Sequence, residues 1–308
     1  MINTITGILS SAVMMCTPLF LGAIGEVFAE RAGVMICAIE GIFLLGAWGG
    51  FVGTYATGSL IIGVFLAMIM GILMALLYGF VTIHLKQQQI VMGTAVNILA
   101  AGLSAFFQRV FFGIPTVPLQ VKPFPRIAIP LISKIPVIGQ VLFNQNIITY
   151  LAYILFPISF FVLYKTSVGL TIRSCGENPV SVDTAGINVN KVRFITVIAA
   201  GALGGLAGSF YTIGYLGMFT TGIIGGRGWI AFAICFLGNW NPKGALYGTL
   251  VFGIAEAITI YLQSTQSISI IPNELIIALP YILTIALTVS KRSFAVPKEL
   301  GIPYNKES

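Results

Sequence analysis

Residues 41–85 read GIFLLGAWGGFVGTYATGSLIIGVFLAMIMGILMALLYGFVTIHL, a run without a single Asp, Glu, Lys or Arg. A helix crosses the hydrocarbon core of a bilayer in about 20 residues, so this run is long enough for two crossings. Outward from it lie three more charge-free intervals, Met1 to Gly25, Ile135 to Tyr164 and Phe194 to Gly226, each long enough for at least one. The composition agrees: 57% of residues are hydrophobic and 8% charged, against about 25% charged in a soluble domain, which excludes a water-soluble globule. The 35 glycines suit helices whose backbones approach closely inside a membrane.

The expected fold is an all-α, polytopic transmembrane bundle of about 8–10 spans, forming a single domain over residues 1–308. Nine segments are read: roughly 5–24, 33–53, 59–83, 90–110, 146–164, 193–216, 229–240, 244–263 and 272–290. The seventh is too short to cross alone. The opening MINTITGILSS lacks the basic start of a secretory signal and is expected to begin a retained first span. The 16 Lys and Arg lie mostly between apolar runs, as topology markers and not as a nucleic-acid footprint. Residues 165–192 and 291–308 carry Lys165, Arg173, Lys191, Lys291, Arg292, Lys298 and Lys306, which assigns both to the cytoplasm. Residues 113–145 and the N-terminus then lie outside, although that loop also carries Lys122, Arg126 and Lys134. Its six prolines bar a long helix, leaving either an irregular connector or a landing surface for an external partner.

Polar residues interrupt the apolar sequence at a few places. In GEVFAERAGVMICAIEG (25–41), Glu26 and Glu30 share a helix face, with Arg31 close enough to offset one of them. A break at Arg31–Gly33, with the second helix starting near Gly33, would carry Glu40 about 10 Å into the span. There it either lines a path or ties helices together. A second break is read in MFTTGIIGGRGWIAFAICFLGNWNPKG (218–244), where the glycines disfavour a continuous helix and Arg227 and Trp229 mark the start of a half-helix. Asn97 and Glu256 lie deep in apolar helices and need partners, either other helices or a ligand. In the loop TIRSCGENPVSVDTAGINVNKVRF (171–194), Asn178 as N-cap, Pro179 at the first helical position and Gly186 as a left-handed cap frame about two turns of helix. So short a helix is marginal in water and is expected to dock. The four cysteines stand singly, and HExxH, CxxC and GxxxxGK[ST] are missing, so neither zinc chemistry nor ATP hydrolysis is expected on this chain and no enzyme activity is assigned.

In order, GEVFAERAGVM, QQQIVMGTAVNILAAGL, IRSCGENPVSVDTAGINVNKVRF and GRGWIAFAICFLGNWNPKGALYGTLVFG resemble the permease subunits of bacterial ABC importers in the branched-chain amino acid and ribose superfamily, especially its nucleoside or simple-sugar branch. The resemblance implies a multi-pass protein of the bacterial cytoplasmic membrane. It also implies a second, related permease, two ATP-binding subunits that hold ATP and Mg, and a substrate-binding lipoprotein. Carried onto this sequence, Gly176, Glu177, Asn178, Pro179, Asp183, Gly186 and Ile187 would form the coupling helix that sits in a groove of the ATPase. Glu40, Asn97, Thr220, Thr221, Arg227 and Trp229 would line the substrate pathway. One departure is Ile36, where nucleoside-branch permeases commonly have Asn; it weakens a specific nucleoside reading. The alternative is an ion-gradient-driven carrier or channel using Glu40 and Glu256, and a third reading is a membrane scaffold.

Overall fold

The computed structural model describes residues 2–115, 117–130, 132–265, 273–290 and 293–305. Four long helices come first: α1 (Ile2–Arg31), α2 (Ile39–Thr57), α3 (Leu60–Gly79) and α4 (Gln89–Phe112). A linker follows with β1 (Ile127–Ala128), α5 (Ile138–Leu142) and β2 (Asn144–Gln145), the two strands pairing antiparallel. Then come α6 (Ile147–Lys165), α7 (Ser167–Glu177), α8 (Pro179–Thr184), α9 (Val189–Ser209), α10 (Arg227–Leu237), α11 (Pro242–Thr265) and α12 (Asn273–Ser290). Helices α3 and α9 run on into π-helical turns, Phe80–His84 and Phe210–Leu216. Seven of the described helical segments are long and apolar enough to cross a membrane; α10 and the apolar part of α12 are shorter.

Burial sorts the helices into a centre and a periphery. The apolar window of α2 is 78% buried and that of α1 72%, against 22% for α4 and 28% for α3. The sequence of α9 makes the centre possible, because GALGGLAG (201–208) puts hydrogen atoms where its neighbours come closest. A methyl group on Gly205 would strike the Ala67 carbonyl of α3, and one on Gly208 the Phe43 carbonyl of α2. Small residues let membrane helices approach to backbone contact where lipid offers no hydrophobic driving force between them.

The second span begins later than its composition suggests. Residue 33 was expected to open the helix, but α1 closes there: Gly33 has φ +94°, its N–H bonds Glu30 O at 3.0 Å, and Val34 N bonds Ala29 O at 3.0 Å. That is the paired bonding of a glycine-terminated helix end. Residues 32–38 form no helix, and Glu40 falls in the first turn of α2 instead of two turns inside it. Arg31 also departs from expectation. It offsets neither Glu26 nor Glu30 but donates to the carbonyls of Trp240 (2.8 Å) and Asn239 (3.3 Å) and lies 3.9 Å from Glu177, while Glu30 accepts from the Trp240 indole.

Long-range bonds define two ends. At one, Arg193 donates to Ala32 O (3.0 Å) and Ile302 O (2.7 Å), Glu299 N to Gly176 O (2.9 Å) and Gly301 N to Gly33 O (3.1 Å). The C-terminal segment is thereby threaded between the α1–α2 break and the end of α7. At the opposite end Val121 N bonds Gly217 O (2.7 Å), Phe124 N bonds Ile213 O (2.8 Å), and Gln145 reaches Ser10 (3.3 Å). Residues Lys291, Arg292 and Lys306, used to place the tail, lie outside the described residues.

Candidate functional site

Both sequence interruptions meet at one place. Residues 217–226 leave the far end of α9 without helix, and α10 then starts at Arg227 and runs back to Leu237, beside the Trp240–Arg31 cluster of the first end. Eleven residues of helix span about 16 Å, so the start of α10 sits near half the thickness of the ~30 Å core. Gly225 and Gly226 take φ of +58° and +85°, a conformation that costs L side chains energy and glycine little. The helix start they create would expose orphan N–H groups inside the bundle. Glu40 satisfies them: its Oε1 accepts from Gly226 N and its Oε2 from Gly228 N, each at 2.8 Å. The carboxylate acts as a cap supplied by another helix, with its charge against the positive end of the α10 dipole. Gly228 is required for this fit, since a methyl there would lie 2.6 Å from Glu40 Cα and 2.7 Å from Oε2.

Asn97 holds the other interruption. Eight residues into α4, about 12 Å along it, its side chain donates to Cys37 O and accepts from Gly41 N, both at 2.8 Å. The non-helical 32–38 stretch is completed by Gln89, whose Oε1 accepts from Met35 N at 2.8 Å, and by Tyr78, whose hydroxyl donates to Met35 O. Asn97 thus fixes one break and, through the turn at Gly41, sets the residue before it, Glu40, against the second. Gln89 and Tyr78 were missed in the sequence. The run QQQ at 87–89 carries a polar signal for Gln89, whereas nothing marks Tyr78 among its apolar neighbours.

Arg227 points its charge at Glu256 of α11, forms an ion pair with it, and donates through Nη1 to Ile223 O (3.2 Å) and Ile224 O (3.1 Å). Its guanidinium also lies 5.2 Å from the ring centre of Tyr211, a cation–π distance. Tyr281 of α12 donates to Gly225 O at 2.7 Å. Thr220, Thr221 and Gly222 are exposed, and Trp229 is 41% exposed, edge-on to Phe232. Phe219 anchors the non-helical stretch on Phe51 of α2, ring centres 6.4 Å apart. The six residues expected to line a path therefore divide: Glu40 and Asn97 bond backbone, Arg227 pairs with Glu256, and Thr220, Thr221 and Trp229 face outward. Ile36 is wholly buried in an apolar cluster with Val34, Ile42 and Val96, so at this position the side chain packs.

The loop at the first end has the expected local form. Asn178 Oδ1 accepts from Ser181 N at 3.2 Å, Pro179 opens α8, and Gly186 has φ +82°. Gly176, Pro179 and Val182 are buried, which seats the helix on the bundle, while Glu177, Val180, Gly186 and Ile187 are exposed. Burial pushes the Cys175 thiol up to about 11, with Arg193 opposing the shift, so this cysteine is protonated and unreactive at neutral pH.

Residues 8–288 match the family described as branched-chain amino acid transport system / permease component. The chain is 37% identical over 307 residues to the guanosine ABC transporter permease protein NupQ of Bacillus subtilis, covering 97% of this chain and 96% of that one. It is 33% identical to the nucleoside ABC transporter permease protein NupC of Lactococcus lactis, covering 99% and 98%. The permease TsgC13 of Haloferax volcanii, named for glucose transport, is 32% identical with 98% of both chains covered.

Proposed function

Since the chain belongs to the permease family of branched-chain amino acid transport systems, and is a membrane-spanning subunit of an ABC importer, we propose that its cargo is a nucleoside. The full-length likeness to a guanosine permease and a nucleoside permease supports this over the hexose suggested by the third relative. One observation carries the pathway assignment: the non-helical stretch before α10, with exposed Thr220, Thr221 and Gly222, leads into a half-helix that starts near mid-depth. Irregular backbone at such a depth is tolerated where it meets protein or water and not lipid. The face bearing Thr220, Thr221 and Trp229 therefore turns to the pathway and to a second, related permease across it. Glu40, Asn97 and Arg227 hold that face in shape from behind.

The first end, which carries Arg31, Lys86, Lys165, Arg173, Lys191, Arg193, Lys243 and Lys298, is the cytoplasmic one. On this reading α8 docks the ATP-binding subunits, a role supported by the exposed apolar side chains of Val180 and Ile187 and by the buried Gly176 and Pro179, which anchor the loop. ATP and Mg are held by those partners, and a substrate-binding lipoprotein delivers cargo to the opposite end. Motion of the loop reaches the α1–α2 break through Arg31–Glu177 and through the C-terminal segment bonded to Gly176 and Gly33. The break in turn carries Glu40 and the start of α10. Of the two acids named for an ion-driven carrier, Glu40 is held by two backbone N–H groups and Glu256 is paired through one oxygen with Arg227. Guanosine uptake by cells producing the transporter tests the reading. Depleting ATP should abolish uptake while a protonophore with ATP maintained should spare it, and the reverse pattern would assign an ion-driven carrier.

A further inference from the structure

Behind the start of α10 lies a cavity of about 290 Å³ between α10, α11 and α12, lined among others by Arg227, Glu256, Thr259, Gln263, Ile277 and Tyr281. Its depth follows from α12, where Tyr281 stands about halfway along and bonds Gly225. Within this cavity the side chain of Glu256 is 93% buried, and only one of its oxygens is used: Oε1 takes the Arg227 Nε–H, while Oε2 has no hydrogen-bond partner. A buried carboxylate oxygen without a donor bears its desolvation penalty uncompensated. An acceptor in that condition, on a residue that lines a mainly apolar cavity in a membrane, is chemistry awaiting a donor.

We infer that this cavity is a transit site for a neutral solute bearing hydroxyl or ring N–H donors, with Glu256 Oε2 as the acceptor that takes one of them. Charge excludes the other classes. Arg227 and Glu256 pair with each other, and the nearby Glu40 is taken up by the N–H groups at the start of α10, so no charge is left free to pair with an ion, which would lose its hydration on entry. The exposed ring of Tyr281, held by its bond to Gly225, supplies a flat apolar wall, and the Thr259 hydroxyl, donated to Ala255 O (3.0 Å), keeps lone pairs to accept a second donor. The volume, just under the ~300 Å³ at which ligand sites begin, limits the occupant to a molecule of the size of a nucleoside or monosaccharide. Gly225, which follows closely on the exposed 220–222 stretch in the chain, also lines it. The inference rests on the import reading above and extends it from a face to a place where the cargo pauses.

The test uses labelling and not transport alone. In the full transporter, purified with its ATPases and placed in lipid vesicles, I277C on a C16A background puts an accessible thiol on the cavity wall, Ile277 being 50% exposed while Cys37, Cys175 and Cys235 are buried. Guanosine and glucose are the probes, and a charged methanethiosulfonate is the reagent. Whichever solute the same vesicles take up should slow labelling at residue 277 by about fivefold or more, and adding E256Q should remove that protection while the ATPases still co-purify. Uptake of guanosine with unchanged labelling would overturn the cavity assignment and leave the import reading intact. Slowing by glucose and not by guanosine would keep the cavity and remove the nucleoside. Slowing by neither overturns the proposal, and protection that persists in E256Q overturns Glu256 as the acceptor.

Discussion

A carboxylate that accepts two backbone N–H groups cannot be exchanged for its amide without consequence. In E40Q one oxygen remains, but the new NH2 group faces an N–H, so one donor at the start of α10 is left unsatisfied. The cost is about 1–3 kcal/mol, which lowers the equilibrium constant for ordering the half-helix by about 5- to 150-fold. Uptake is expected to fall accordingly with ATPase binding retained; normal uptake kinetics would show that the cap is dispensable. Arg227 and Glu256 form the second residue-scale case. R227M strands a buried charge, a loss of about 3–5 kcal/mol, and should sharply lower the yield of folded protein. Pairing it with E256M removes both charges and should recover the yield while leaving transport impaired. If the double variant transports normally, the pair has no part in the pathway.

At the scale of elements, α8 and α9 carry opposite kinds of constraint. Helix α8 is six residues long and ends on Gly186 at φ +82° with open space around its Cα, so G186V strains the backbone by about 1–3 kcal/mol without a clash. Assembly is expected to survive and ATP hydrolysis to lose its link to uptake; unaltered coupling in this variant would count against the docking role of the loop. In α9 the constraint is space. G205V drives a side chain into the Ala67 backbone of α3, and overpacking typically costs about 1–3 kcal/mol where neighbours can shift. Here the obstacle is backbone, so a loss at or above that range is expected, measured as detergent-resistant folded protein and its melting temperature.

For the whole molecule, the two ends make a sidedness prediction. With single cysteines at Tyr55, near the far end of α2, and at Lys298, in the docked C-terminal segment, a membrane-impermeant reagent should label the first in intact cells and the second only in inside-out vesicles. Labelling of both from the same side would invert or break the topology. The prediction draws on more than the basic residues, because the C-terminal segment is bonded to Gly33 and Gly176 and so reports the side of the loop and of the α1–α2 break together.

Hydropathy and glycine content made the helical membrane bundle legible from residues 41–85 alone, because a charge-free run of that length has few other stable fates. Local chemistry made α8 legible too, since Asn178, Pro179 and Gly186 act through their own backbone and need no distant partner. The two breaks were visible as interruptions, but their edges were not. Helix α1 continued through Glu26, Glu30 and Arg31 and α2 waited until Ile39, because Tyr78, Gln89 and Asn97 satisfy the backbone of 32–38 from other helices. The partners of the buried charges were illegible for the same reason. Glu40 and Gly226 are 186 positions apart, Arg31 and Trp240 209, and composition or spacing cannot report which distant backbone a side chain will meet. That pairing is set by how the helices pack, and it is what turns two interruptions in the sequence into one site.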